Sequence, residues 1–235
     1  MRKKIVAGNW KMNLEASEAE RLALDIISGF QGLDFSAGPV PEVIFFPAFP
    51  YLANIAGICS SHKGFAAGAQ NCHQADRGAF TGEVSVSMIR SVQATHVLVG
   101  HSERRTYFAE TDALLAHKLV KALDAGLTPV FCCGEQLSDR ESGNYQDVVA
   151  GQVSEALFSL DAEQFGKLII AYEPVWAIGT GLTATPEQAQ EMHSLIRKLI
   201  IEKYGEGIGE RIPLLYGGSC NAANASELFS RPDVD

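Results

Sequence analysis

Glu173 stands where a short apolar run gives way to proline and glycine. The run 168–172 has the composition of a strand buried on both faces, and Pro174 ends the ladder directly after the carboxylate. The segment 175–181 has an apolar middle and glycines at its far end, which is typical of a lid. A carboxylate shut away from water holds a proton more readily, so our working interpretation of Glu173 is a general base. The alternative, the commoner role of a glutamate at a strand end, is a helix cap or an ion-pair partner.

His101 is the second candidate for chemistry. It follows the apolar run 96–99, and Ser102 and Glu103 resemble the opening of a helix, whose amide dipoles disfavour a protonated ring. A neutral imidazole can polarise a carbonyl group and pass protons between oxygens. The alternative is a buried, hydrogen-bonded structural histidine, and we assign that role to the other five histidines: His62, His73, His96, His117 and His193.

Negative charge that develops during such chemistry, or that a substrate phosphate carries, needs fixed positive charge and backbone amides. Lys11, with Asn9 beside it in the loop after the first apolar run, is the candidate cation, although a lone loop lysine is usually only solvated. Gly179 in the lid and Gly218 with Ser219 after the seventh run are the candidate amide donors, because glycine lets a backbone come close to an anion.

These residues follow short apolar runs that alternate with helical patterns. Strand–helix alternation predicts a parallel sheet covered by helices, either an open doubly wound sheet or a closed (β/α)₈ barrel. Chemistry-bearing residues follow at least four of the runs, which favours the barrel, the architecture that builds its site at those ends. The predicted strands span 4–8, 42–46, 65–69, 96–99, 128–132, 168–172 and 212–216.

The number of runs is seven, whereas a closed barrel of this kind needs eight strands. Residues 231–235 resemble a turn leading into another strand. We therefore expect the eighth strand and helix to be absent from these 235 residues, either because a C-terminal segment is missing or because the fold is incomplete. No linker separates the periodic segments, so we predict one α/β barrel domain over residues 1–235.

Composition narrows the environment and the partners. A formal net charge of -9 argues against nucleic acid or an anionic membrane as the main partner. The cysteines number five and show no paired metal-ligand spacing, and no apolar run is long enough for a bilayer or a secretory leader. We predict a cytoplasmic protein.

Five blocks in order resemble the triosephosphate isomerase family over the whole sequence. The blocks are Gly8-Asn9-Trp10-Lys11-Met12-Asn13, Gln70-Asn71 with Gly78-Ala79-Phe80-Thr81-Gly82-Glu83, Gly100-His101-Ser102-Glu103-Arg104-Arg105, residues 171–181, and Tyr216-Gly217-Gly218-Ser219. The resemblance implies a (β/α)₈ barrel that interconverts dihydroxyacetone phosphate and glyceraldehyde 3-phosphate in glycolysis and gluconeogenesis. It implies no metal or organic cofactor.

The resemblance also implies a homodimer and a secondary residue. The loop 70–83 would insert into a neighbouring subunit near that subunit's Asn9 and Lys11, with Thr81 at the interface. Glu103 would lie near the site and bridge to Lys11, the alternative being a surface ion pair with a neighbouring arginine.

Two other functions fit the same residues. A glycosidase on this fold would pair Glu173 with Glu135 across an open cleft, with the two carboxyl groups about 5 to 9.5 Å apart. A noncatalytic or truncated barrel would bind a phosphorylated ligand without turning it over. The apolar lid and the glycine-rich elements favour a closed pocket for a small anion over the cleft of a glycosidase.

Overall fold

The computed structural model describes residues 2–36 and 38–235, so Met1 and Ala37 lie outside the described residues. The chain packs as two compact units. We name residues 3–99 and 118–129 the N-terminal unit, and Arg2 with residues 100–117 and 130–235 the C-terminal unit. The single domain over 1–235 stays a prediction.

The N-terminal unit contains four parallel strands whose order in the sheet is their order in the chain. They are β1 (Ile5–Asn9), β2 (Glu42–Phe46), β3 (Phe65–Ala69) and β4 (His96–Val99). The helices of this unit are α1 (Ala16–Gln31), α2 (Phe49–Ser60) and α3 (Val86–Ser91). The strands β3 and β4 are buried along their whole length, whereas β1 exposes Val6 and Ala7.

The C-terminal unit contains most of β5 (Thr128–Cys133), followed by β6 (Ile169–Tyr172) and β7 (Leu214–Tyr216), again parallel and in chain order. Its helices lie between and around these strands. They are α4 (Ser102–Tyr107), the first part of α5 (Asp112–Asp124), α6 (Leu137–Glu141), α7 (Tyr145–Leu157), α8 (Ala162–Phe165), α9 (Pro186–Tyr204), α10 (Glu206–Gly209) and α11 (Ala225–Phe229), with a 3₁₀ turn at Val175–Ala177.

Strand order decides between the two closures that the alternation pattern left open. A doubly wound sheet reverses its strand order at a switch point, and neither unit contains such a reversal. Sequential parallel strands linked by helices are the order of a (β/α) barrel, so the predicted fold class is confirmed. Residues 2–36 and 38–235 contain seven strands and no eighth, the number that the apolar runs predicted.

Local signals placed the elements accurately. Three of the predicted strands have the observed limits, and the other four differ by one or two residues at one or both ends. Thr185 caps α9 by accepting a hydrogen bond from the Gln188 amide, with Pro186 at the first helical position. Gly126 ends α5 with φ of +72°, a conformation that a residue without a Cβ adopts at little cost.

No helix within the described ranges has both the length and the apolar character needed to cross a bilayer. The longest helix, α9, buries one face through Met192, Ile196 and Ile200 and leaves charged residues on the other.

Stability should fall in mild acid because of His96. Burial lowers the pKa of His96 to about 4, a shift that the Glu42 carboxylate opposes and the Lys3 ammonium reinforces. Between pH 6.5 and 4 the unfolded chain therefore binds a proton that the folded chain excludes. Protonation of His96 in the unfolded chain should therefore lower the free energy of unfolding by about 2 kcal/mol between pH 7 and pH 5.

Urea denaturation at the two pH values measures the drop. His96→Gln should remove most of it, whereas His117→Gln, at an exposed position, should leave it in place. An equal drop in wild type and His96→Gln would contradict the assignment to His96.

Candidate active site

Glu173 is a buried carboxylate with a donor at each of its two oxygens. It follows the last residue of β6, and only 4% of its surface is exposed. Its Oε2 accepts a hydrogen bond of 2.8 Å from the backbone amide of Ser102, and its Oε1 lies 3.1 Å from His101 Nε2. A buried carboxylate needs such partners because an unpaired charge away from water is strongly unfavourable.

His101 presents a single tautomer to this carboxylate. It caps α4, and its Nδ1 accepts a hydrogen bond of 3.2 Å from the backbone amide of Glu103. When Nδ1 of a neutral imidazole accepts, the proton must be on Nε2. The Nε2–H group therefore donates to Glu173, and the start of α4 supplies amide donors to both side chains.

Two glycines make room for the main chain and side chain of Glu173. A Cβ on Gly134 would overlap the carbonyl oxygen of Glu173, and a Cβ on Gly217 would lie 2.8 Å from Glu173 Cγ. The amide of Glu173 donates to Cys133 O, and that of Gly217 to Tyr172 O, each at 2.7 Å. The ends of the three strands are thus closed tightly around one carboxylate.

Glu135 forms a separate buried cluster next to this pair. Its side chain has no exposed surface, and its Oε1 accepts hydrogen bonds from the Tyr172 hydroxyl, the Trp176 indole and the Arg140 guanidinium. Burial, together with the Glu135 charge, raises the pKa of Tyr172 well above its ordinary value. Trp176, in the predicted lid, is held by Glu135 in this conformation.

The predicted lid begins as the 3₁₀ turn Val175–Ala177 and continues as an exposed loop. Gly179 and Gly181 have φ of +69° and +83°, and Leu182 is 53% exposed. The Ser219 hydroxyl donates to Ala177 O at 3.2 Å, which joins the segment after β7 to the base of the lid. Gly218 packs so closely against Tyr216 and Pro174 that a Cβ would overlap both side chains.

In the N-terminal unit, Lys11 has an uncommon backbone conformation. Its φ is +53°, and its amide donates to Asn9 Oδ1 at 3.0 Å. The Gln70 side-chain amide donates to the carbonyls of Lys11 and Phe46, at 2.8 and 2.9 Å. Left-handed backbone at a bulky residue is unfavourable and persists where its surroundings enforce it, often at functional sites.

The other predicted residues have simpler environments. Thr81 is exposed in the loop after β3, beside Phe80, which is 46% exposed and whose ring lies against His73. The carboxylate of Glu103 lies 3.7 Å from His101 Nδ1. The two arginines that follow Glu103 pair with Glu110 and Asp112, and the bridge from Glu103 to Lys11 stays a prediction.

The predicted residues therefore lie in two groups. The C-terminal unit contains His101, Glu103, Glu173, Gly179, Gly218 and Ser219, and the N-terminal unit contains Asn9, Lys11 and Thr81. Sequence reasoning missed the Ser102 amide and gave no role to Gln70. A backbone donor leaves no mark on residue type, and glutamine is common at surfaces, so neither had a local signal. In the described ranges no group of three or more His, Cys, Asp or Glu side chains is arranged to hold a metal ion.

Comparison with known proteins identifies the family of this chain. The family model described as triosephosphate isomerase matches residues 4–235. The chain belongs to the triosephosphate isomerase family. Among its relatives, the triosephosphate isomerase of Porphyromonas gingivalis strain ATCC 33277 is 53% identical over 235 residues, covering 100% of this chain and 92% of the relative. That of Bacteroides fragilis strain ATCC 25285 is 48% identical, covering 100% of this chain and 91% of the relative.

Membership of the triosephosphate isomerase family confirms the resemblance, the isomerase class and the (β/α) barrel class. The roles of individual residues are a further step, argued below.

Cysteine reactivity should report the packing around Glu173. Cys132 and Cys133 are buried in β5, where burial and then the Glu173 charge raise the pKa of the Cys132 thiol. Burial raises the pKa of Cys133, and also that of Cys59 in α2, to about 12. Thiolates react with disulfide reagents and neutral thiols do not.

Cys220 is the exposed one of the five thiols, although partial burial raises its pKa as well. The folded protein should therefore release about one equivalent of thionitrobenzoate from Ellman's reagent at pH 8, and all five equivalents after unfolding. Cys220→Ser should abolish the fast reaction. Rapid modification of several thiols in the folded variant would show that the core around β5 is open.

Proposed function

We propose that this chain interconverts dihydroxyacetone phosphate and glyceraldehyde 3-phosphate through an enediolate, with Glu173 as the base. Family membership supports the reaction class. One observation carries the assignment of residues: a buried carboxylate at the end of β6 faces a neutral imidazole whose Nε2–H points at it.

The hydrogen bonds of Glu173 suggest how the reaction starts. Both carboxylate oxygens accept hydrogen bonds in this conformation. A substrate therefore has to accept one of these hydrogen bonds itself before a carboxylate oxygen can react. If the substrate carbonyl oxygen accepts from His101 Nε2–H, then Glu173 Oε1 is released to remove the proton on the adjacent carbon. The electron pair of that C–H bond forms the enediolate double bond, and the carbonyl oxygen takes up the negative charge.

The second half of the reaction reverses these transfers at the neighbouring carbon. Glu173 returns its proton there, and His101 passes the hydroxyl proton from one oxygen to the other. The proton on Nε2 makes the imidazole a donor at the start. The hydrogen bond that Nδ1 accepts from the backbone amide of Glu103 keeps the ring in that tautomer.

We assign the remaining charge stabilisation to Lys11 and to backbone amides. Lys11, with Asn9 beside it, would provide the positive charge for the enediolate and the phosphate. Gly179, Gly218 and Ser219 would bind the phosphate through their amides. Glu103 would act through its contact with the Nδ1 side of His101.

The two competing functions have less support. A glycosidase would need Glu135 in an open cleft, but its carboxylate is fully buried and bound by Tyr172, Trp176 and Arg140. A noncatalytic phosphate-binding barrel keeps the same site without proton transfer, so only an assay of turnover distinguishes it.

Solvent isotope incorporation tests the proposed proton transfer. Incubation with dihydroxyacetone phosphate in deuterated water should give glyceraldehyde 3-phosphate with deuterium on the carbon that Glu173 protonates. Glu173→Gln should lower kcat by about 10²–10⁴-fold, because an amide is a far weaker base, while the phosphate ligand still binds.

Glu163→Gln provides a matched control at an exposed carboxylate that pairs only with Lys167 among the described ion pairs, and it should keep wild-type turnover. Ligand binding without deuterium incorporation in the wild type would favour the noncatalytic barrel. Unchanged turnover in Glu173→Gln would remove Glu173 from the mechanism.

We further propose a cytoplasmic homodimer with Thr81 at the interface. The five cysteines are all free thiols, as a reducing compartment requires. Thr81 and the half-exposed Phe80 lie on a loop between Gly78 and Gly82, both of positive φ, so the loop presents apolar surface to solvent.

Sedimentation should therefore give twice the 25.3 kDa mass of one chain. Thr81→Arg should shift the equilibrium toward the monomer because it places a charge in the contact, whereas Ser159→Arg, at an exposed position of the C-terminal unit, should not. An active wild-type monomer would refute the dimer.

A further inference from the structure

Gln152 makes a two-point contact with the main chain beside Glu173. It lies on α7, and its side-chain Oε1 accepts a hydrogen bond of 2.8 Å from the Gly134 amide. Its Nε2 donates to the carbonyl of the same residue at 3.0 Å. One side-chain amide thus satisfies both polar groups of Gly134, as a neighbouring strand would do.

Gly134 needs this support because the strand pairing stops just before it. The β5–β6 ladder ends with Cys133 paired to Tyr172 and with the Glu173 amide donating to Cys133 O. Gly134, the residue after the end of β5, has its Cα against the Glu173 carbonyl, since a Cβ there would overlap that oxygen. A shift of Gly134 toward β6 would therefore press on the main chain of Glu173.

A cavity makes this contact more important. A void of about 250 Å³ is lined by Glu173, Ser102, Gly134 and Gln152, together with Arg105, Thr106, Gln136, Asp139 and Val175. Side chains do not fill the space beside Glu173 on this side. The hydrogen-bonded pair of Gln152 and Gly134 is then a direct restraint on the peptide that carries the carboxylate.

We propose that Gln152 is a positioning residue for the isomerase reaction: it fixes Gly134, and through Gly134 the main chain of Glu173. This inference rests on the proposed role of Glu173 as the base. It predicts a loss in the chemical step with little effect on substrate affinity, because the groups assigned to the phosphate do not contact Gln152 in any described hydrogen bond.

Gln152→Met keeps the length of the side chain and removes both hydrogen bonds. We expect kcat per folded molecule to fall by about 10- to 100-fold, the effect of displacing a reacting group by less than about an ångström, with KM within about twofold of wild type. Gln146→Met is the control, because Gln146 is exposed on the same helix, does not line the cavity and donates to the exposed Glu191. It should leave kcat and KM unchanged.

Gln152→Glu provides a second test if the methionine variant folds poorly. It keeps an oxygen that accepts from the Gly134 amide but loses the donor to the Gly134 carbonyl. A carboxylate oxygen would then face the Gly134 carbonyl oxygen, so kcat per folded molecule should fall at least as far as in Gln152→Met, with KM again within about twofold of wild type. Gln146→Glu should leave kcat and KM unchanged.

The outcomes separate this inference from the proposed function. Wild type without isomerase activity would defeat the proposed function itself. An active wild type with normal kcat in folded Gln152→Met, or in folded Gln152→Glu if the methionine variant does not fold, would show that Gln152 only joins α7 to the end of β5 and does not position the base.

Discussion

The need to satisfy one buried carboxylate organises the C-terminal unit. Glu173 is almost entirely removed from water, and an ionised group there is stable only with good donors. The Ser102 amide and the His101 ring supply them. Both come from the first residues of α4, so the position of that helix relative to β6 decides whether the carboxylate can exist as an anion.

The same hydrogen bonds hold an acceptor, Glu173, and a donor, His101, next to each other. In the proposed mechanism Glu173 is the base, and His101 already has its proton on Nε2, so the imidazole needs no change of tautomer before a substrate arrives. The Nε2–H group of His101 points at Glu173. In the proposed mechanism, a substrate oxygen that accepts this hydrogen bond replaces Glu173 as the acceptor, and the carboxylate oxygen is released in the same step. This links the resting geometry of the pair to the proposed chemistry without any additional group.

Close packing of the strand ends fixes the position of Glu173 beside His101. Gly134 and Gly217 allow the ends of β5 and β7 to approach Glu173 more closely than any side chain would permit. Glu135 is fully buried one residue after Gly134, and its carboxylate accepts hydrogen bonds from Tyr172 and Trp176. Backbone contacts thus surround two acidic residues with different partners. Glu173 meets His101 and the Ser102 amide, and Glu135 holds Trp176 in the predicted lid.

Sequence alone determined the elements and the residue types of the site. Strands such as β2, β3 and β4 were predictable to the residue because a short apolar run between polar boundaries has few other uses. Glu173 and His101 were identifiable because both follow such runs. What only the tertiary structure decided is how the groups are paired. The Ser102 amide reaches Glu173 over 71 positions of sequence, and Gln152 binds Gly134 over 18. The tautomer of His101 is set by a backbone amide. Residue identity does not encode such long-range contacts or backbone donors.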